Sequence, residues 1–195
     1  MKNTKIPELK PGDIILSRSG TWLSKAIRFV TSLQSGSSEY SHAAMSIGDA
    51  LLIEALWEIS ITEAKKYEGQ QIQAWRIPLS ETDSRNIVHG TLQLAGQNYG
   101  IMKLPLFAMD AAATQIGKLF GAKNPCYWFT SKLGITNLPV CSQLVVYAIH
   151  KFTSYRFRDE NGNEVNWKTV SPDRLQDLLK LPINKAVMVL EQATN

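Results

Sequence analysis

Val140-Cys141-Ser142-Gln143-Leu144-Val145-Val146-Tyr147-Ala148-Ile149-His150 reads as a helix that begins on a cysteine. Pro139, just upstream, cannot carry an earlier helix through, so the helix starts near Val140 or Cys141. Cys141, Leu144, Val145 and Ala148 fall at i, i+3, i+4 and i+7 and share one face. A thiol in the first turn meets the positive end of the helix dipole and a ring of unpaired N–H groups. Both favour thiolate, the nucleophilic form. A small inert cysteine at the edge of a core would give the same local pattern, because free cysteine is among the most buried residue types. The stretch becomes a site only if the chain brings it a base.

A base is available upstream. Tyr40-Ser41-His42-Ala43-Ala44-Met45-Ser46-Ile47, a turn around Gly48-Asp49, and Leu51-Leu52-Ile53-Glu54-Ala55-Leu56 read as a hairpin. Ala43, Met45 and Ile47 alternate with His42, Ala44 and Ser46, giving one buried and one more polar face. With the turn centred on Gly48, His42 stands directly opposite Glu54 and within side-chain reach. A two-residue Gly48-Asp49 loop would instead put Glu54 on the other face, so the pairing calls for an odd-numbered loop. Cys141 could then act as nucleophile, His42 as base, and Glu54 as the group that holds the second ring nitrogen. The Cys141 backbone N–H is one oxyanion donor. Tyr40 and Ser41, beside His42, and Ser142, beside the cysteine, are candidates for the remaining oxyanion and substrate contacts.

The rest of the chain reads as a frame for these groups. Pro11-Gly12 makes a turn, with Asp13 bonding its own turn or capping a loop, and Asp13 to Ser17 makes a short strand. An amphipathic helix is expected over Trp22 to Leu33, followed by a Ser/Gly-rich loop from Gln34 to Glu39. Glu58 to Tyr67 is polar and reads as irregular, and Gln71 to Ile77 alternates as a strand that stops at Pro78. Thr82 or Asp83 caps a helix running to about Gln97, with Ile87, Val88, Leu92 and Ala95 as its core face. Asn161-Gly162 signals a hairpin turn, Ser171-Pro172 starts a helix, and Lys185 to Leu190 is a last strand. Of the other histidines, His89 is expected to face solvent, and His150 closes the cysteine helix, where a cation suits the dipole.

Composition narrows the function classes. At 195 residues, with 44% hydrophobic and 19% charged residues, the chain reads as one globular domain. The net charge of +4 contains no Lys/Arg run of the kind that tracks nucleic acid, so no nucleic-acid partner is expected. A weak attraction to anionic surfaces such as membrane or cell wall fits better. Two cysteines, Cys126 and Cys141, make neither a disulfide framework nor a zinc spacing, and no metal or cofactor is expected; Cys126 reads as structural or incidental. Met1 to Lys10 has no apolar signal region, and no run of about 18 apolar residues would span a bilayer. A reduced cytosolic setting is the default expectation, with delivery by a signal-less route open.

Taken in order, Pro11-Gly12-Asp13-Ile14-Ile15-Leu16, Tyr40-Ser41-His42, Ile53-Glu54-Ala55, Tyr99-Gly100, Val140-Cys141-Ser142-Gln143-Leu144 and Ser171-Pro172-Asp173-Arg174-Leu175 resemble the circularly permuted NlpC/P60 papain-like families of the YiiX/YaeF type. The lecithin:retinol acyltransferase-like proteins share this layout. The resemblance spans about residues 11 to 179. It implies an α+β fold, an antiparallel sheet packed on helices with the nucleophile at a helix N-terminus, and a triad of Cys141, His42 and Glu54. The chain departs from a compact member at residues 101–139, a long apolar stretch cut by Pro105, Gly117, Gly121, Pro125 and Gly134, read as an insert or lid. The implied activity is a thiol hydrolase or acyltransferase acting on an amide, with a peptidoglycan stem peptide or an N-acyl amino acid as substrate. A lipid acyl substrate, with 101–139 touching a membrane, is the alternative. A catalytically silent binding module that keeps the fold is a third reading.

Overall fold

The computed structural model describes residues 6, 8–18, 39–55, 58–97, 113, 116 and 141–192. The expected helix at 22–33, nearly all of the loop after it, Tyr99-Gly100, Cys126 and the apolar stretch apart from Ala113 and Ile116 lie outside these residues.

Within them, six strands form one antiparallel sheet: β1 (Ile14–Arg18), β2 (His42–Gly48), β3 (Leu51–Ala55), β4 (Ile59–Glu63), β5 (Gln71–Arg76) and β6 (Val187–Gln192). Their order across the sheet is β4-β3-β2-β1-β5-β6. Three α-helices accompany them: α1 (Glu81–Leu92), α2 (Cys141–Phe152) and α3 (Pro172–Lys180). The α+β class read from the sequence is what the chain adopts.

Period-two alternation sends successive side chains to opposite faces of the sheet, and here both faces are buried. Ile14, Leu16, Ala43, Met45, Ile53, Ala55 and Trp75 face the helices and pack with Ile87 of α1, Leu144, Val145, Ala148 and Ile149 of α2, and Leu175, Leu178 and Leu179 of α3. Ile15, Ala44, Leu52, Ile72 and Ala74 face the other way and are covered by Leu9 and by Ala64 and Tyr67 of a 3-10 turn, Ala64–Tyr67. Burying a Leu or Ile side chain contributes about 1.5–3 kcal/mol, so each layer anchors the sheet independently. Asp13, almost fully buried, pins β1 to β5: Arg76 donates from Nε to Oδ1 at 2.8 Å and from a terminal nitrogen to Oδ2 at 2.6 Å. The same carboxylate accepts the Lys10 N–H at 2.8 Å, the turn bond its sequence position suggested.

Several elements differ from the sequence reading. Residues 58–67 are not irregular: β4 and the 3-10 turn occupy most of them, and β4 pairs with β3 at Leu52↔Thr62 and Glu54↔Ser60. The cap of α1 is Ser80, whose hydroxyl accepts the Asp83 N–H at 3.0 Å, rather than Thr82 or Asp83. The buried face of α1 is Ile87, Gly90 and Thr91, while Leu92 is exposed; small residues facing α2 hide this face from a search for large apolar ones. Asn161-Gly162 does form a turn, but the segments beside it meet only in a single bridge, Arg158↔Glu164. Helix α3 is capped by Ser171 with Pro172 in its first turn, as its sequence suggested. Among the described residues no helix is long and apolar enough to cross a membrane.

The β2–β3 corner reaches the expected face by a different route. Asp49 and Ala50 form a two-residue turn, both with positive φ (50° and 57°), between Gly48 and Leu51. Such a loop alone would turn Glu54 to the wrong side. A bulge between Ser46 and Gly48 inserts one extra residue into β2 and restores the parity, so that Ala44, not His42, lies opposite Glu54. His42 stands two residues further along the same face. Gly48 takes φ +94° at this bulge, a backbone state that side-chain-bearing residues rarely adopt.

Gly90 is where α1 meets α2. A Cβ there would sit 2.3 Å from the Phe152 ring. Alanine favours a helix over glycine by about 1 kcal/mol, but overpacking of this kind costs about 1–3 kcal/mol, so the clash decides the sign. Gly90→Ala is expected to destabilise the protein by about 1–2 kcal/mol in a denaturant titration, and an unchanged or raised midpoint would show that the Phe152 ring yields freely.

Candidate active site

His42 is the first residue of β2 and Cys141 the first residue of α2. The helix lies against the sheet through its apolar face, and its opening turn thereby meets the start of β2. The His42 side chain and the backbone of Ala43 and of Ser142 lie near enough to the Cys141 sulfur to lower the thiol's proton affinity. His42 gives its other side to Glu54, with Nε2 donating to Oε2 at 2.8 Å. An imidazole has two nitrogens, so Nδ1 is the one left to address the sulfur. His42 is thus hydrogen-bonded to Glu54 and electrostatically coupled to Cys141.

Glu54 is fully buried, and a buried carboxylate is strongly unfavourable unless its oxygens are satisfied. Four donors meet it. Oε2 accepts from His42 and, at 2.6 Å, from the Tyr67 hydroxyl. Oε1 accepts from the Thr62 hydroxyl at 2.6 Å and from the Lys66 ammonium. The Tyr67 ring stacks beside the His42 imidazole, with centroids 6.4 Å apart and planes 11° from parallel. Ser17, the cross-strand partner of His42, lies beside the Tyr67 hydroxyl and slightly favours its ionised form.

These contacts set the charges. Burial opposes ionisation of Glu54, but His42, Lys66, Thr62 and Tyr67 together hold its carboxyl far below the usual range. Burial and the neighbouring carboxylate push the Tyr67 phenol far up, so it remains a donor. Burial also opposes a charged His42, yet the Cys141 sulfur and Glu54 outweigh it and raise the imidazole to about 9. For Cys141, burial favours the thiol, while the His42 charge and hydrogen bond and the two N–H groups draw it below the ordinary thiol value. Both shifts run toward a thiolate–imidazolium pair, the activated state of a cysteine nucleophile.

The other residues read from the sequence are placed as follows. The Tyr40 side chain is buried in the helix-side core and bonded to Gln71; burial first, then the charges of Glu39 and Glu191, push its phenol up to about 12. Ser41 is buried and donates its N–H to the Ser17 carbonyl at 3.1 Å. The Ser142 hydroxyl donates to the Val170 carbonyl at 2.7 Å, tying the start of α2 to the segment before α3. His89 is exposed. His150 is no helix-end cation: its Nε2 accepts the Phe157 N–H at 3.0 Å and burial lowers its proton affinity, so it is the neutral tautomer. Thr62, Lys66, Tyr67, Ser17 and the Ala43 N–H were absent from the sequence reading. The alternation of Ile59 and Ile61 with Ser60 and Thr62 was the one available signal.

Among the described residues no group of three or more His, Cys, Asp or Glu side chains is arranged to hold a metal ion. The cluster around Glu54 does not fit one either, because both carboxylate oxygens are taken by donors and one of these donors is an ammonium.

No protein-family profile and no curated protein matches the chain. A solved structure does resemble it: the crystal structure of a protein described as metalloprotein yiiX from Escherichia coli O157:H7. The TM-score is 0.59 at 16% identity, over 95% of this chain and 98% of that one. At that identity the likeness is one of fold. It joins the resemblance carried by short sequence motifs to a solved α+β architecture.

An ordinary thiol, with a pKa of about 8.5, loses close to 100-fold in thiolate between about pH 8 and pH 6. Alkylation of Cys141 by iodoacetamide is expected to change distinctly less than that over the same range, and His42→Ala to restore the ordinary steep dependence. A steep dependence in the unaltered protein would show that no ion pair forms. Glu54, held below its unfolded value, contributes stability above the usual carboxylate range that is lost as pH falls through its depressed value. The destabilisation caused by Glu54→Gln is therefore expected to shrink in denaturant titrations as the pH is lowered into strong acid.

Proposed function

We propose that the protein is a cysteine hydrolase or acyltransferase of permuted papain-like type, with Cys141 as nucleophile, His42 as acid and base, and Glu54 as the group that orients His42. The observation that carries this reading is a histidine held at Nε2 by a fully buried carboxylate and coupled in charge to the Cys141 sulfur at the start of α2. The base precedes the nucleophile in the chain, which is the permuted order. The proposed substrate is an amide, in a peptidoglycan stem peptide or an N-acyl amino acid.

In this mechanism the Cys141 thiolate attacks the carbonyl carbon, and the developing oxyanion lies against the N–H groups at the start of α2. The imidazolium of His42 gives its Nδ1 proton to the leaving amine as the C–N bond breaks, leaving a thioester on Cys141 and a neutral ring. Water, or an acceptor hydroxyl or amine, then loses a proton to Nδ1 as it attacks the thioester. The acyl product departs, and the thiolate and imidazolium return. Glu54 remains ionised throughout and holds Nε2, so the proton moves only on the side facing sulfur.

The test is turnover of isolated stem peptides and, separately, of phospholipid vesicles, with mass spectrometry of the intact protein to find the thioester. Stem-peptide cleavage abolished by Cys141→Ala and lowered by about 10²–10⁴-fold in His42→Ala is the expected result. Its kcat/KM should fall on the alkaline side near pH 9, where His42 loses its proton, and on the acid side where Cys141 gains one. Acyl-chain release from vesicles with intact stem peptides would move the substrate to the lipid class. A protein that forms no acyl adduct with either substrate, and no adduct with a thiol-directed acyl probe, would be a silent module.

A further inference from the structure

Glu54 carries one contact that the triad does not require. A carboxylate that only orients an imidazole needs Nε2–H and enough neutral donors to satisfy its oxygens. Here Thr62 and Tyr67 supply neutral donors, one on each oxygen. Lys66 adds a full positive charge on Oε1, the oxygen turned away from His42. Its stem is part-exposed, with 35% of the side chain accessible, while the carboxylate it touches is fully buried. The ammonium is seated over the Tyr67 ring, 5.1 Å from its centroid. Lys66 and Tyr67 belong to the same 3-10 turn, so a single short element delivers both to Glu54.

We propose that Lys66 is a positioning residue of this site: by capping the outer oxygen of Glu54 it limits how firmly that carboxylate holds the proton on His42. The inference rests on the catalytic reading above. Its physical basis is the division of one negative charge between two partners. The charge that Glu54 presents to the imidazole through Oε2 is opposed, a few ångströms away, by the ammonium on Oε1, in surroundings that screen poorly. Without Lys66 the imidazolium would be over-stabilised and would surrender its proton to a leaving group less readily. Among the described residues, the titratable groups that face the His42–Glu54 pair are Cys141 from α2 and Lys66 and Tyr67 from the turn; β1 contributes the Ser17 hydroxyl and β4 the Thr62 hydroxyl.

The experiment is an NMR titration of the His42 imidazole in the full chain, alongside the pH dependence of Cys141 alkylation. Lys66→Gln keeps an amide donor for Oε1 and removes the charge. It is expected to raise the alkaline step of His42 by roughly half a unit to one unit, whereas Lys66→Arg leaves it in place. Should Lys66→Gln not hold the turn, Lys66→Met removes the same charge and carries the same expectation. A folded Lys66→Gln or Lys66→Met protein whose His42 step is unmoved or lowered would overturn the proposal, and so would an Arg variant that shifts as the Gln variant does. If the unaltered protein shows an ordinary Cys141 thiol, the catalytic reading itself fails. If the ion pair is present but indifferent to residue 66, only the role of Lys66 fails.

Discussion

A carboxylate with no access to water has to be surrounded by donors, and in this protein that requirement organises everything near the site. Taking an ion out of water costs several kcal/mol even after relaxation, and each hydrogen bond to a charged group returns about 1.5–3 kcal/mol. Glu54 has four such donors, enough to offset its burial. They come from β2, β4 and the 64–67 turn, while Glu54 itself lies on β3. One buried charge therefore ties together four consecutive stretches of chain that local propensity alone would leave loosely related.

The sheet gives the two halves of the site different surroundings. Glu54, with Ala44 and Leu52, lies on the side covered by Leu9, Ala64 and Tyr67. Helix α2 packs on the other side, through Leu144, Val145, Ala148 and Ile149. Among the described residues the two meet at one end of the strands, where the first residues of β2 and α2 come together. His42 bridges that end, with one ring nitrogen for each side. A histidine at the first position of its strand can do this because its ring reaches past the strand end; in the middle of β2 the sheet itself would stand between that ring and α2.

Much of this arrangement was legible in the chain, for identifiable reasons. Helix α2 announced itself through a three-and-four residue apolar spacing and an upstream proline. The hairpin announced itself through alternation, and alternation settles faces better than it settles register. Hence His42 and Glu54 were placed on one face correctly, although their direct opposition was not: a bulge is a one-residue irregularity that hydrophobic patterning does not record. The partners of Glu54 were missed because residues 58–67 are polar and because β4 is a five-residue edge strand on which Ile61 is 38% exposed. On the inward face of α1, Ile87 is legible as core, while Gly90 and Thr91 are not, since they fill it without the bulk that marks a core.

The corner at residues 46–51 carries a consequence for how such chains can vary. Its two-residue turn and its bulge each reverse the facing of β3, and the reversals cancel. Deleting or adding one residue there would leave β3 paired and its apolar residues interchanged between layers, with the carboxylate rotated into the helix-side core. Lineages and engineered libraries alike should therefore admit length changes at this corner in pairs, and treat it as a counter of even steps rather than as a spacer.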